Sequence, residues 1–157
     1  MKFSLKKNIK LINFYPPYMG AGISLKSVND DFTQINVQLK MRWYNRNAVG
    51  THFGGSLYSM CDPFYMFILM DNLGKDYIVW DKASNIKFKK PGLKTVTATF
   101  EIPKEQIAEI KNFVDSNGKG DFTFFTTVNG ENGEVVAEVE KVVYVRNKHF
   151  IKKEGIA

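Results

Sequence analysis

One stretch limits the fold more than any other: the apolar run from Leu57 to Leu73, which carries Asp62 among aromatic and sulfur side chains. A helix of that composition is apolar on nearly every side and must be buried. A carboxylate within it is costly unless it is paired or put to use. Directly before the run lies the polar loop Asn47-Ala-Val-Gly-Thr-His-Phe-Gly-Gly-Ser. Gly54 and Gly55 let the backbone begin the helix close to another group, leaving its first N–H donors free for something negative.

The rest of the chain supplies a sheet for that helix to pack on. Ile23–Lys26 and Phe32–Met41 read as strands, the second by alternation after the turn Asn29-Asp30-Asp31. Tyr77–Phe88, Thr95–Ile102, Phe122–Val128 and Val135–Val145 read likewise, the last two joined by a hairpin over 129–133. A helix is expected to start after Pro103 on the stripe Ile107, Ile110, Val114. Residues 1–20 suggest an N-terminal helix, amphipathic over 3–19 and stopped by Pro16-Pro17; residues 147–157 suggest a loose basic tail. Strands that follow one another through turns favour an antiparallel sheet, so the fold class is α+β, one domain over 1–157, with the sheet wrapped around the central helix.

Bulk composition bounds the function. Hydrophobic residues at 44% are enough for a core and exclude a disordered chain. A net charge of +6 from 22 basic and 16 acidic side chains is spread along the sequence and suits an anionic small molecule without requiring nucleic acid. The single cysteine, Cys61, excludes an internal disulfide and fits a reducing compartment. The N-terminus lacks the apolar run of a secretory signal, and Asp62, Pro63 and Asp71 interrupt the best membrane-span candidate, so a cytoplasmic location is expected. His52 and His149, with no cysteine cluster, give no metal signature.

The pattern resembles the hotdog fold of acyl-CoA thioesterases and dehydratases over about 22–146. Many of those thioesterases carry His-Gly-Gly at the start of the central helix and an Asp or Glu nine positions after that His. Here the tripeptide is Phe53-Gly54-Gly55, Asp62 lies nine after Phe53, and the histidine stands one place earlier as His52. Asn47 upstream and the strand exit Ile86-Lys87-Phe88-Lys89-Lys90-Pro91-Gly92 are similar too. The wording around Gly50–Met60 is similar to a bacterial branch of thioesterase-like proteins. The exchange of His for Phe removes the tripeptide's own imidazole and leaves the glycine backbone and the carboxylate.

The resemblance implies hydrolysis of an acyl thioester by carboxylate-activated water, at the interface of a dimer or tetramer, with coenzyme A as part of the substrate and no bound cofactor. Asp62 is then the base or nucleophile, with burial expected to raise its pKa. Gly55 N–H would meet the thioester oxygen, His52 would orient water or polarise the carbonyl, Asn47 would bind the water, and Ser59 would assist. Lys87, Lys89 and Lys90 would meet coenzyme A phosphates. Each has a plainer reading: Asp62 capping a nearby backbone N–H or paired with a lysine across a subunit boundary, Gly55 in a tight turn, His52 bonded to backbone, Asn47 and Ser59 as turn and cap residues, the lysines solvated. Pro63 either kinks a helix running from Gly54, aiming Asp62 into a cavity, or begins the helix with Asp62 as its N-cap. Hydration or dehydration by His52 and Asp62, or non-catalytic binding of acyl-CoA or lipid, are the alternatives.

Overall fold

The computed structural model describes residues 5–151. Helical pieces open the chain: α1 (Leu5–Asn8), a 3-10 turn (Ile9–Phe14) and α2 (Pro16–Ala21). Then come β1 (Ile23–Val28), β2 (Gln34–Leu39), α3 (Gly54–Ser59), α4 (Phe64–Leu73), β3 (Tyr77–Phe88), β4 (Val96–Glu101), α5 (Lys104–Asn117), β5 (Lys119–Asn129) and β6 (Val135–Asn147). The six strands form one antiparallel sheet in the order β1-β2-β4-β5-β6-β3. The expected α+β hotdog architecture is present, and β1 and β3 are its edges.

Alternation explains the core. Ile35, Val37 and Leu39 on β2, Val96, Ala98 and Phe100 on β4, and Ala137, Val139, Val143 and Val145 on β6 are all buried. Against them α4 lays Phe64, Tyr65, Ile68, Leu69 and Leu73. Each such side chain removed from water contributes roughly 1.5–3 kcal/mol before the cost of ordering it. One residue on the inward phase of β6 breaks the pattern: Lys141, 1% exposed.

The central helix resolves the choice at Pro63 in a way between the two expectations. It spans 54–73 but is interrupted: α3 ends at Ser59, and Met60–Pro63 form a turn in which Cys61 N donates to Tyr58 O (2.9 Å) and Asp62 N to Ser59 O (3.2 Å). Pro63 itself takes the cap position of α4, so the Asp62 side chain is not spent on capping.

At the N-terminus the single helix expected over 3–19 is divided into shorter pieces, and Pro16-Pro17 starts a helix rather than stopping one. Proline fits the first turn because no N–H is needed there; Phe3 lies outside the described residues. At the other end, Lys148 N donates to Asp76 O (2.9 Å) and Phe150 packs beside Gly118. Residues 152–157 of the expected loose tail lie outside the described residues.

Candidate active site

The interruption of the central helix turns Asp62 toward the sheet, where β6 and β3 supply two charged partners. Lys141 Nζ donates to Asp62 Oδ1 at 2.8 Å and lies 3.1 Å from Asp81 Oδ2. The face of Tyr58 lies 5.5 Å from the same ammonium. Tyr18, from α2, donates its hydroxyl to the backbone carbonyl of Asp62, tying the turn to the N-terminal segment. The Asp62 side chain is 46% exposed and that of Asp81 is 17% exposed, so only the first carboxylate faces outward.

The two carboxyl groups titrate in opposite directions. Burial pushes Asp62 up, but the neighbouring Asp81 carboxyl and the Lys141 ammonium outweigh it, and Asp62 ends below its ordinary value. The upward shift expected from the sequence is therefore corrected: a buried cation on the facing strand reverses its sign. Asp81 is raised to about 7, by burial first and then by Asp62 beside it, against the pull of Lys141. Neither buried oxygen of Asp81 has an aligned donor. A proton on Asp81 removes that deficit and gives it a donor for Asp62. Burial disfavours the charged form of Lys141, yet its two carboxylate neighbours raise its pKa above the ordinary value, so it stays an ammonium.

The remaining sequence candidates are held by backbone contacts. His52 is 3% exposed, and its Nε2 lies 2.6 Å from Lys94 O. A carbonyl only accepts, so Nε2 carries the proton and Nδ1 is the lone-pair nitrogen, buried without a partner. Burial holds its pKa below the ordinary value, so the ring is neutral. It packs on Gly92, where a Cβ would come within 2.9 Å of its Cδ2. Asn47 closes the loop: its amide donates to Thr51 Oγ1 (2.8 Å) and His52 O (3.3 Å), and its oxygen accepts from Val49 N (3.1 Å) and Thr51 N (3.0 Å). Ser59 Oγ donates to Gly55 O at 2.8 Å. Cys61 is fully buried, which pushes its thiol up to about 12.

Gly55 is exposed at the start of α3, and Ser56 N and Leu57 N return to Phe53 O (2.9 and 3.1 Å). The Phe53 ring folds over it so closely that a Cβ there would meet ring carbon at 2.4 Å. Gly55 and Ser59 border a cavity of about 470 Å³ together with Pro17, Tyr44, Arg46 and Phe53. Asn47, His52, Lys89 and Lys90 border another, of about 410 Å³. Lys87 lies apart from both, on the outward phase of β3 opposite Glu138, lining a cleft of about 640 Å³ with Phe125 and Glu140.

The sequence reading missed Lys141, Asp81 and Tyr18. Lys141 was detectable: Ala137, Val139, Lys141, Val143 and Val145 share one strand phase, and four of these five are apolar. Asp81 follows Val79 on the inward phase of β3 just before a register shift at Asp81/Ala83, which blurs that signal. Nothing local marks Tyr18. Among the described residues no cluster of three or more His, Cys, Asp or Glu side chains is placed to hold a metal ion. No described helix is long and apolar enough to cross a membrane.

A family model described as a domain of unknown function (DUF4442) matches residues 7–145. No curated protein matches the sequence. Among solved structures, the chain is similar to PA5026 of Pseudomonas aeruginosa, described as a probable thioesterase (TM-score 0.80, 15% identity, 94% of this chain and 98% of that one). It is also similar to thioesterase HI1161 of Haemophilus influenzae (TM-score 0.67, 12% identity, 97% and 96%). A third similar structure is a hypothetical thioesterase of Streptococcus pneumoniae with coenzyme A (TM-score 0.60, 16% identity, 87% and 97%). At these identities the likeness establishes the shared fold.

Proposed function

The chain belongs to the DUF4442 family, and on that premise we propose that it is an acyl-CoA thioesterase-like hydrolase in which Asp62 activates water. The observation that carries this reading is a half-exposed carboxylate, held ionised by a buried lysine, at a break in the central helix of a hotdog fold. The fold's similarity to proteins described as thioesterases, one of them with coenzyme A, supports the substrate class.

Gly55 stands in the first turn of α3 and Asp62 three residues beyond its last, Ser59. Seven residues at a helical rise separate them by roughly 10 Å, too far for both to touch one carbonyl. A thioester between two copies of the chain would meet Gly55 N–H of one and Asp62 of the other. Asp62 takes a proton from water as the water oxygen bonds to the carbonyl carbon. The carbonyl electron pair moves to the oxygen, where the N–H stabilises it. Collapse breaks the C–S bond, and the departing thiolate takes the proton from Asp62. His52, Asn47 and Ser59 hold the loop and the helix start in this scheme. Lys89 and Lys90, at the cavity beside the helix start, meet coenzyme A phosphates.

Hydration or dehydration would need a free imidazole beside the substrate, and His52 gives its only proton to Lys94 O. Hydrolysis is therefore the better-supported chemistry. The test is a panel of acyl-CoA esters followed by thiol release. Asp62→Asn, which keeps the shape of the side chain, should lower kcat/KM by roughly 10²–10⁴. Full hydrolysis of every accepted ester by that variant would refute the mechanism.

A further inference from the structure

We propose that Lys141 and Asp81 are positioning residues for Asp62: the buried ammonium aims the Asp62 carboxylate, and the charge state of Asp81 sets how strongly that carboxylate attracts a proton. The inference rests on Asp62 acting as the base. It adds two residues that come from different strands and lie 79 and 19 positions from Asp62 along the chain (141 − 62 and 81 − 62).

The geometry is asymmetric in a useful way. Lys141 is 1% exposed and cannot follow Asp62 into solvent, so it is a fixed anchor. Its bond to Asp62 is aligned at 2.8 Å, while its 3.1 Å approach to Asp81 is not aligned as a hydrogen bond. An ionised Asp81 therefore leaves a buried anion short of donors, an expensive state that a proton relieves. The groups facing the cluster are few. The turn after α3 brings Asp62 and Cys61, β6 brings Lys141, β3 brings Asp81, α3 brings the Tyr58 ring, and α2 brings Tyr18 with Tyr15 behind it. Burial raises both the Tyr18 hydroxyl and the Cys61 thiol, so both stay neutral. The charge of the cluster is thus decided by one cation and two carboxylates.

With a proton on Asp81 the cluster is neutral, and Asp62 is a weak base because a full ammonium faces it. When Asp81 ionises, its proton passes to solvent and a second negative charge competes for Lys141. Asp62 then holds a proton more tightly and removes one from water more readily. Asp81 neither gains nor loses a proton over a catalytic cycle; the water proton goes to Asp62 and then to the thiolate.

The direct test is carboxyl ¹³C NMR of aspartate-labelled protein, wild type against Asp81→Asn and Lys141→Arg. In the wild type the Asp62 signal should show a step at the pH where Asp81 titrates, near 7. Asp81→Asn should abolish that step while Asp62 still ionises at acid pH, and Lys141→Arg, which keeps the charge, should retain it. An Asp62 signal unchanged by Asp81→Asn would overturn the proposal. Thiol release adds a second arm. Wild-type kcat/KM should rise through pH 7, whereas Asp81→Asn should give a flat profile, about tenfold lower at pH 8 and equal at pH 5.5. An equal loss at every pH would reduce Asp81 to a structural role and also overturn the proposal. Persistent hydrolysis in Asp62→Asn would remove the base assignment alone, because the NMR arm reads the coupling without turnover.

Discussion

The two ends of α3 use polar groups in opposite ways. Around its start, His52 and Asn47, with Ser59 reaching back one turn to Gly55 O, direct their hydrogen bonds largely to backbone atoms of the local loop and helix, and His52 is neutral. Beyond its end, Asp62, Lys141 and Asp81 meet from three distant parts of the chain, and both carboxyl groups are displaced from their ordinary range. Residues that look chemical by type spend their hydrogen bonds locally at the first end, and a lysine on the inward phase of a strand is the electrostatic centre at the second. Availability for chemistry follows from unspent hydrogen-bonding capacity and charge, not from residue identity.

The contrast can be broken most severely at Lys141. Lys141→Met should destabilise the fold by about 3–5 kcal/mol in chemical denaturation at pH 7, because two carboxylates lose their buried cation. A loss below about 1 kcal/mol would mean the cluster is not an ion-pair centre. Asp81→Asn should act in the other direction. The folded state holds the Asp81 proton up to about pH 7 whereas the unfolded state releases it near 3.8, so Asp81 costs stability progressively as pH rises between those values. The variant should be more stable than wild type by up to about 4 kcal/mol at pH 8 and equal to it below pH 4. Thermal melts across that range check the sign.

At the other end the effects should be smaller and of a different kind. His52→Ala should cost about 1–3 kcal/mol of stability through the lost bond to Lys94 O and the space left under Gly92. Its kcat/KM should stay within a few-fold of wild type; a drop beyond 10²-fold would restore His52 to the chemistry. The smallest effect is expected on the outward face of β3. Lys87→Ala should leave KM for acyl-CoA unchanged, whereas removing the charge of Lys89 or Lys90 should raise it roughly threefold, the scale of an exposed charge contact.

Much of this architecture could be read from residue patterns. Strand β3 has the predicted limits, and the other strands differ at their ends, where pairing rather than alternation sets the boundary. The stripe after Pro103 gives α5 because Ile107, Ile110 and Val114 recur at helical spacing. The N-terminal segment was harder: its apolar spacing suits one helix, but Tyr15 is extended and Pro16 restarts the turn. At the site, Asp62 and Gly55 were visible as a carboxylate in an apolar run and a glycine pair before it. Their separation along α3, and the lysine that reverses the expected pKa shift, were not.

What the sequence determined alone was periodic: which faces are apolar, where strands alternate, that one helix had to be buried, and that a carboxylate was trapped within it. These follow from local spacing, since a period of two or of 3.6 residues needs no knowledge of the partner. Tertiary structure alone decided how that carboxylate is paired. It broke the helix at Met60–Pro63, brought β6 and β3 alongside, and set a single ammonium between two acids. Charge interactions act through space at a few ångströms, and only the fold makes residues distant in the chain close enough to feel them.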